Sequence, residues 1–399
     1  MRGIKSIYTI GNGPSSSHTV GPYNAAKQIK KRYQDADYFE VTLYGSLAFT
    51  GAGHGTMKAI NEVLPNAVIT SDIKKEDLPH PNTMLFVAYK DNKEIGREII
   101  TSVGGGTIEI IGEKNTDKEV YKEKNLSQII KTCKKNNLTL AEYAYLKEGD
   151  DLKNYLYEVW EAMKACIQRG LNTTGILPGG LNISRKAQLI FNSSNDNETD
   201  DLKMDRLISA FSYAVCEENN DGHVVVTAPT CGSCGVIPSI LYYMKEYKNY
   251  KDEEIIDALA TGAMIGNVIR TNASISGAEC GCQAEIGSAC SMAAAALASL
   301  YKMNIDQIEY ASEVAMEHNL GLTCDPVKGL VQIPCIERNA VGATRAISSV
   351  NLARFLYQTR KISFDEVVET MYKTGLDMSN KYKETSHGGL AAIYSEEKE

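Results

Sequence analysis

No stretch of this 399-residue chain holds the roughly 18 consecutive apolar residues that a membrane span requires. The N-terminus, Met1-Arg2-Gly3-Ile4-Lys5, lacks an apolar leader segment and a small-residue cleavage site, so a cytoplasmic location is expected. Positive charge is short as well. A net charge of −8, from 42 Lys and Arg against 50 Asp and Glu, argues against nucleic acid or an anionic membrane as partner. No internal repeat is visible. With 43% hydrophobic residues the chain has the material for ordinary cores and the length for two domains.

Cysteine, by contrast, is abundant. Ten in a cytosolic protein need a reason, because disulfides do not persist there. Cys133, Cys166 and Cys216 lie in helix-like segments and read as buried, inert thiols. The other seven fall between Cys231 and Cys335, a clustering that favours a metal or redox role. Three of these sit in Gly- and Pro-rich contexts: Gly281-Cys282-Gln283, Thr323-Cys324-Asp325-Pro326 and Pro334-Cys335-Ile336-Glu337-Arg338-Asn339. Three thiolates can hold a cubane iron–sulfur cluster and leave one iron without a protein ligand. Such an iron is a Lewis acid for a substrate hydroxyl, whereas an electron-transfer cluster is usually capped throughout. The spacing is neither that of a ferredoxin nor that of a zinc ribbon. The C-x-x-C of Cys231 and Cys234 suits a redox dithiol or half a zinc site; no second C-x-x-C follows, and His318 is the one histidine close to the later cysteines.

The first 110 residues alternate strand-like runs (39–44, 83–89) with helix-like ones (25–33, 57–63). A polar, Lys-rich zone at 114–125 marks a boundary. Amphipathic helices follow, such as 126–135 and 151–169, with 252–268, 287–301 and 341–358 the clearest, and 287–301 is so apolar that burial on all sides is expected. Residues 192–197 read as a solvated loop. The expected fold is α+β: a small N-terminal α/β domain (1–125) and a larger all-helical catalytic domain (126–399).

Several motifs bear on chemistry. Gly13-Pro14-Ser15-Ser16-Ser17-His18-Thr19 leads into a helix and offers more hydroxyls than a cap needs, so it can present them to a carboxylate. In Gly53-His54-Gly55-Thr56, glycines leave the imidazole of His54 accessible as a base near neutral pH; a turn histidine without a role is the alternative. Ser102-Val103-Gly104-Gly105-Gly106 ends a strand-like run and forms either an N–H nest or a plain loop. Arg338 and Asn339 are placed to bind a substrate carboxylate or the cluster sulfides, or else simply begin a helix. Leu177-Pro178-Gly179-Gly180-Leu181 reads as a turn.

Together these segments resemble the iron–sulfur L-serine dehydratases (L-serine ammonia-lyases), in family order over nearly the whole chain. The resemblance extends to Gly45-Ser46-Leu47-Ala48, Glu317-His318-Asn319-Leu320-Gly321-Leu322 and Lys383-Glu384-Thr385-Ser386-His387-Gly388-Gly389-Leu390. It implies a [4Fe-4S] cluster on Cys282, Cys324 and Cys335, no pyridoxal phosphate, and a homodimer that degrades an amino acid in the direction of gluconeogenesis. His54 is then the expected base, with His18 second. Ser15, Ser16, Ser17, Thr19, Thr56, Ser102, Gly104, Gly105, Arg338 and Asn339 become the expected substrate contacts, in a site between the domains. The chain departs from the family pattern at Cys231 and Cys234, at Met57, where an acidic residue often stands, at Lys328, where glycine is usual, and in a tail without cysteine. Elimination from L-serine is the expected reaction. Elimination from L-cysteine or another β-substituted amino acid is an alternative, and a non-catalytic iron–sulfur sensor is the competing class.

Overall fold

The structure is a computed structural model that describes residues 1–113, 119–194 and 196–394. The expected zone at 114–125, the loop at 192–197 and the C-terminal tail therefore fall partly outside the described residues. The chain opens with a short turn at Ile4–Ile7 and strand β1 (Ile10–Asn12), then forms β2 (Tyr38–Tyr44), β3 (Val68–Asp72), β4 (Thr83–Lys90), β5 (Lys93–Gly104) and β6 (Thr107–Ile110). The last five make one sheet in the order β3-β2-β4-β5-β6, parallel between β2 and β3 and antiparallel elsewhere.

Alternation decides which face is covered. Phe39, Val41 and Leu43 of β2 point inward while Glu40 faces solvent. The helices Gly21–Arg32 and Thr56–Val63 lay Ala25, Ala26, Ile29, Ile60 and Val63 over that face, closing a small core with Met84, Phe86 and Ile100. The expected strands and helices of this part are present with slightly shifted ends. β1, β3 and β6 were not anticipated; all are short, and none of their residues is fully buried, so they lack a periodic apolar signal.

Beyond Leu126 the chain is mostly helical and shares one large core. At its centre Ser288–Leu300 is buried at every position but Ser299, as its composition implies. Its run of small side chains lets Asp252–Asn272, Ile305–Glu317 and Cys335–Leu356 pack directly on it. This region is not purely helical: β7 (Val224–Val226) pairs antiparallel with β1. Met1, Ile4, Ile7 and Tyr8 also insert into the helical core, and the Met1 ammonium donates to the Tyr121 carbonyl at 2.5 Å. The first residues thus anchor the sheet region to the helical body. The architecture is α+β, and no helix among the described residues is long and apolar enough to cross a membrane.

Candidate active site

Two π-helical turns, a form that recurs at functional sites, carry polar residues into the region between sheet and helices. The first, Ser16–Val20, holds His18. Ser15 starts it, its Oγ accepting from the His18 N–H at 3.1 Å, while the Ser15 N–H donates to Thr19 Oγ1 at 3.2 Å. Thr19 Oγ1 donates to the His54 carbonyl at 2.7 Å, and Thr56 Oγ1 donates to the His18 carbonyl at 2.5 Å. These two threonine hydroxyls tie the histidine segments together. Ser16 and Ser17 are buried in the same turn.

The ring of His18 is fixed at both ends. Ser46 Oγ donates to the Glu384 carbonyl at 2.8 Å, so its remaining contact, 3.0 Å from His18 Nε2, is made as acceptor. His18 Nε2 then carries the proton, and Nδ1, 2.9 Å from Ser17 Oγ, accepts. His54 lies beside it, with ring centroids 4.5 Å apart. Among the described residues neither nitrogen of this fully buried ring has a side-chain hydrogen-bond partner, and only the Thr50 backbone acts on it as a hydrogen-bonding neighbour. Burial pushes the His54 pKa down to about 4 and that of His18 well below its ordinary value, so both rings are neutral at pH 7.

Glu384, named in sequence only as part of a motif, completes this group. Its Oε1 stands 3.5 Å from His18 Nδ1 and 3.9 Å from His54 Nε2, and its Oε2 is buried without a partner. Burial first, and then the charge of Glu285, push its carboxyl well above the usual range. One atom from each of His18, His54 and Glu384 lies within 4.8 Å of the others, a donor set that can also hold a metal ion.

The thiols meet this group through the backbone. Glu384 N–H donates to the Cys324 carbonyl at 2.8 Å, and Cys324 N–H donates to the Tyr382 carbonyl at 2.8 Å. Cys282, Cys324 and Cys335 act electrostatically on one another, and burial raises all three, Cys282 to about 11. Arg338 hydrogen-bonds to Cys282, and its charge lowers the pKa of Cys282 and Cys335. It is held by the Thr323 carbonyl at 2.6 Å and by Asp325 at 3.3 Å. Three thiols converging beside one fixed cation suit an anionic thiolate-ligated group, so the residues fit the iron–sulfur cluster that the sequence implies.

The second π turn, Gln283–Gly287, carries Glu285, which sequence reading missed. Thr230 Oγ1 donates to its Oε1 at 2.7 Å, and Cys324 Sγ lies 3.9 Å from its Oε2. Space here is tight: a Cβ on Gly277 would sit 2.7 Å from Glu285 Oε2, and one on Gly232 would sit 2.8 Å from Oε1.

Other expected residues take different posts. Asn339 spends its amide on backbone, accepting from Gly235 N–H at 2.9 Å and donating to the Gly232 and Cys335 carbonyls at 2.8 Å each. It therefore clamps the Cys231–Gly235 loop to the Cys335 helix. Burial, Cys234 and then Glu285 raise Cys231, whereas Cys234 is raised first by a hydrogen bond with Cys216, and all ten thiols are free. Gly104, which ends β5, and Gly105, which begins the turn to β6, have φ of 99° and 60° and lie beside Ile275 and the Pro229 carbonyl. Ser102 Oγ is buried without a partner, against Gly21. A cavity of about 490 Å³ opens next to this turn, lined by Gly104, Thr107, Arg270 and Ile275, and contains none of the site's histidines or cysteines.

The serine dehydratase beta chain profile matches residues 3–68 and the serine dehydratase alpha chain profile matches residues 62–391. The chain belongs to the serine dehydratase family. It is 41% identical to the L-serine dehydratase TdcG of Escherichia coli, across 96% of this chain and 97% of that protein. It is 39% identical to the L-serine dehydratase of Haemophilus influenzae, across 98% and 99% respectively. It is 40% identical to that of Helicobacter pylori (strain 26695), across 97% and 98%. The alignment with the Haemophilus enzyme runs over 449 residues, more than the whole 399-residue chain, so that relative holds inserted segments this one lacks.

Proposed function

We propose that this family member is an L-serine ammonia-lyase that converts L-serine to pyruvate and ammonium. The observation that supports this best is the meeting of two neutral, buried imidazoles and a buried carboxyl with three thiols on one loop framework. A sensor has no need of two adjacent buried imidazoles beside a buried carboxyl. In this reading Cys282, Cys324 and Cys335 hold a [4Fe-4S] cluster. When bound, the cluster supplies a Lewis-acidic iron for the departing β-hydroxyl.

His54 takes the α-proton. Its ring is tied to no other side chain and is neutral at pH 7, and a C–H donor needs no pre-existing hydrogen bond. His18 is locked at both nitrogens and positions Ser17 and Ser46. Loss of the α-proton and the β-hydroxyl leaves 2-aminoacrylate, which tautomerises and hydrolyses to the products. Ser15, Ser16 and Ser102 receive the carboxylate, with Gly104 and Gly105 closing the sheet side, while the Ser17 hydroxyl is spent on His18 Nδ1. Arg338 compensates thiolate charge, and Asn339 supports the loop. The same reading makes the protein a cytoplasmic homodimer of amino-acid degradation that feeds pyruvate toward gluconeogenesis without pyridoxal phosphate.

The test is anaerobic purification followed by iron analysis and a pyruvate assay with L-serine. About four irons per chain and turnover of L-serine are expected. Replacing Cys282, Cys324 or Cys335 by Ala should remove colour and activity together. Full iron content in any of these variants would overturn the ligand set, and faster elimination from L-cysteine than from L-serine would reassign the substrate.

A further inference from the structure

We propose that Glu384 is the receptor for the substrate's α-ammonium group and so makes the site selective for amino acids over hydroxy acids. The inference rests on the lyase reading and adds to it the residue that recognises the amine.

Its backbone is the first observation. Glu384 adopts φ 58°, the left-handed region that a non-glycine residue enters at a cost of about 1 kcal/mol or more. The conformation is held from two sides, by Ser46 Oγ on its carbonyl and by the Cys324 carbonyl on its N–H. The same two contacts place its side chain between the histidine pair and the thiols. A relaxed backbone would point the carboxyl elsewhere.

Its surroundings are the second observation. Glu384 is 5% exposed, Oε2 has no partner, and no lysine or arginine among the described residues pairs with it. The neighbouring Lys383 turns away and reaches toward the Leu376 carbonyl. A buried carboxyl without a protein cation awaits a positive charge from outside. An α-amino acid with its Cα–H at His54 brings that charge in its ammonium, which can hydrogen-bond to both carboxyl oxygens. L-Glycerate has the same carboxylate and β-hydroxyl but carries a neutral hydroxyl in place of the ammonium.

The experiment compares L-serine with L-glycerate on the iron-loaded holoenzyme and on its Glu384→Gln and Glu384→Asp variants. In Glu384→Gln, iron content and visible spectrum should match wild type and KM for L-serine should rise on the order of 100-fold. The inhibition constant of L-glycerate should stay within about threefold of wild type. Glu384→Asp keeps a carboxyl at this position and should retain most of the preference for the amine, and it decides the matter if the Gln variant does not fold. A parallel loss of serine and glycerate binding would mark a structural role and overturn the proposal. A fall in kcat at unchanged KM would overturn it too. If wild type forms no pyruvate from L-serine, the lyase reading fails on its own. Titration calorimetry of both ligands on the same protein then still measures the selectivity that Glu384 is argued to supply.

Discussion

At the scale of single residues, environment separates the two histidines, which are alike in sequence. Among the described residues His18 is bonded to a serine hydroxyl at each nitrogen, whereas His54 is bonded to no side chain. His54→Ala should therefore keep the iron and lower kcat by about 10²-fold or more, the usual contribution of a general base. Because burial lowers the His54 pKa to about 4, the base is already unprotonated throughout the neutral range. The acid limb of kcat/KM, measured on intact holoenzyme, should lie well below pH 6.5, and a limb centred near 6.5 would remove His54 as the base. Lys328 shows how a departure from the family pattern acquires a physical meaning. It sits at φ 53°, where glycine is at ease and a lysine is strained. Its Nζ also donates to the Gly180 carbonyl at 3.3 Å. Relief of the backbone strain should make Lys328→Gly more stable by about 1 kcal/mol in denaturant unfolding; a loss of stability would mean that the contacts of the lysine side chain outweigh that strain.

Among the elements, the loops decide more than the helices. The Cys231–Gly235 loop hangs on one amide, that of Asn339, through contacts to Gly232 and Gly235. Asn339→Ala should cost about 1–3 kcal/mol, since it leaves buried backbone groups unpaired. It should also loosen Thr230 and with it Glu285, so iron should be lost faster to a chelator although no ligand is removed. Cys231→Ala and Cys234→Ser should retain iron and most of the activity while altering sensitivity to air. A stoichiometric loss of iron in either variant would bring this loop into the ligand set.

What the sequence made legible follows the same division. Cys282, Cys324 and Cys335 stood out because Gly and Pro flank them, and His54 because glycines bracket it. The cores were legible in period, from Val41 to Ser288–Leu300. Glu384 was not, because its conformation comes from pairing with the Cys324 loop far away in sequence, and no local pattern announces such a bridge. Asn339 was read as a substrate contact for a related reason. An amide beside a cysteine motif looks available until the fold brings a distant loop to it.

For the molecule as a whole, the site divides unequally across the contact between sheet and helices. His18, His54, Ser46 and the serine turn come from the first 110 residues, while Glu384, Arg338 and every cysteine of the proposed ligand set come from beyond residue 126. Cluster retention and turnover should therefore be separable by disturbing the contact alone. Gly53 is the place to do it, since a Cβ there would lie 2.9 Å from the Gly329 carbonyl oxygen and 3.0 Å from that of Lys328. Both obstacles are backbone, which cannot rotate aside like a side chain, so one segment must move. Gly53→Ala should displace His54 relative to Glu384 and lower kcat/KM by at least about tenfold, because small misplacements of a catalytic group are costly. Iron content and cluster spectrum should stay at wild-type values where the Gly53 segment is the one that yields, since Lys328 and Gly329 lie between Cys324 and Cys335 but are not themselves ligands. Loss of iron in Gly53→Ala would show instead that the sheet region is needed to hold the cluster as well as to use it.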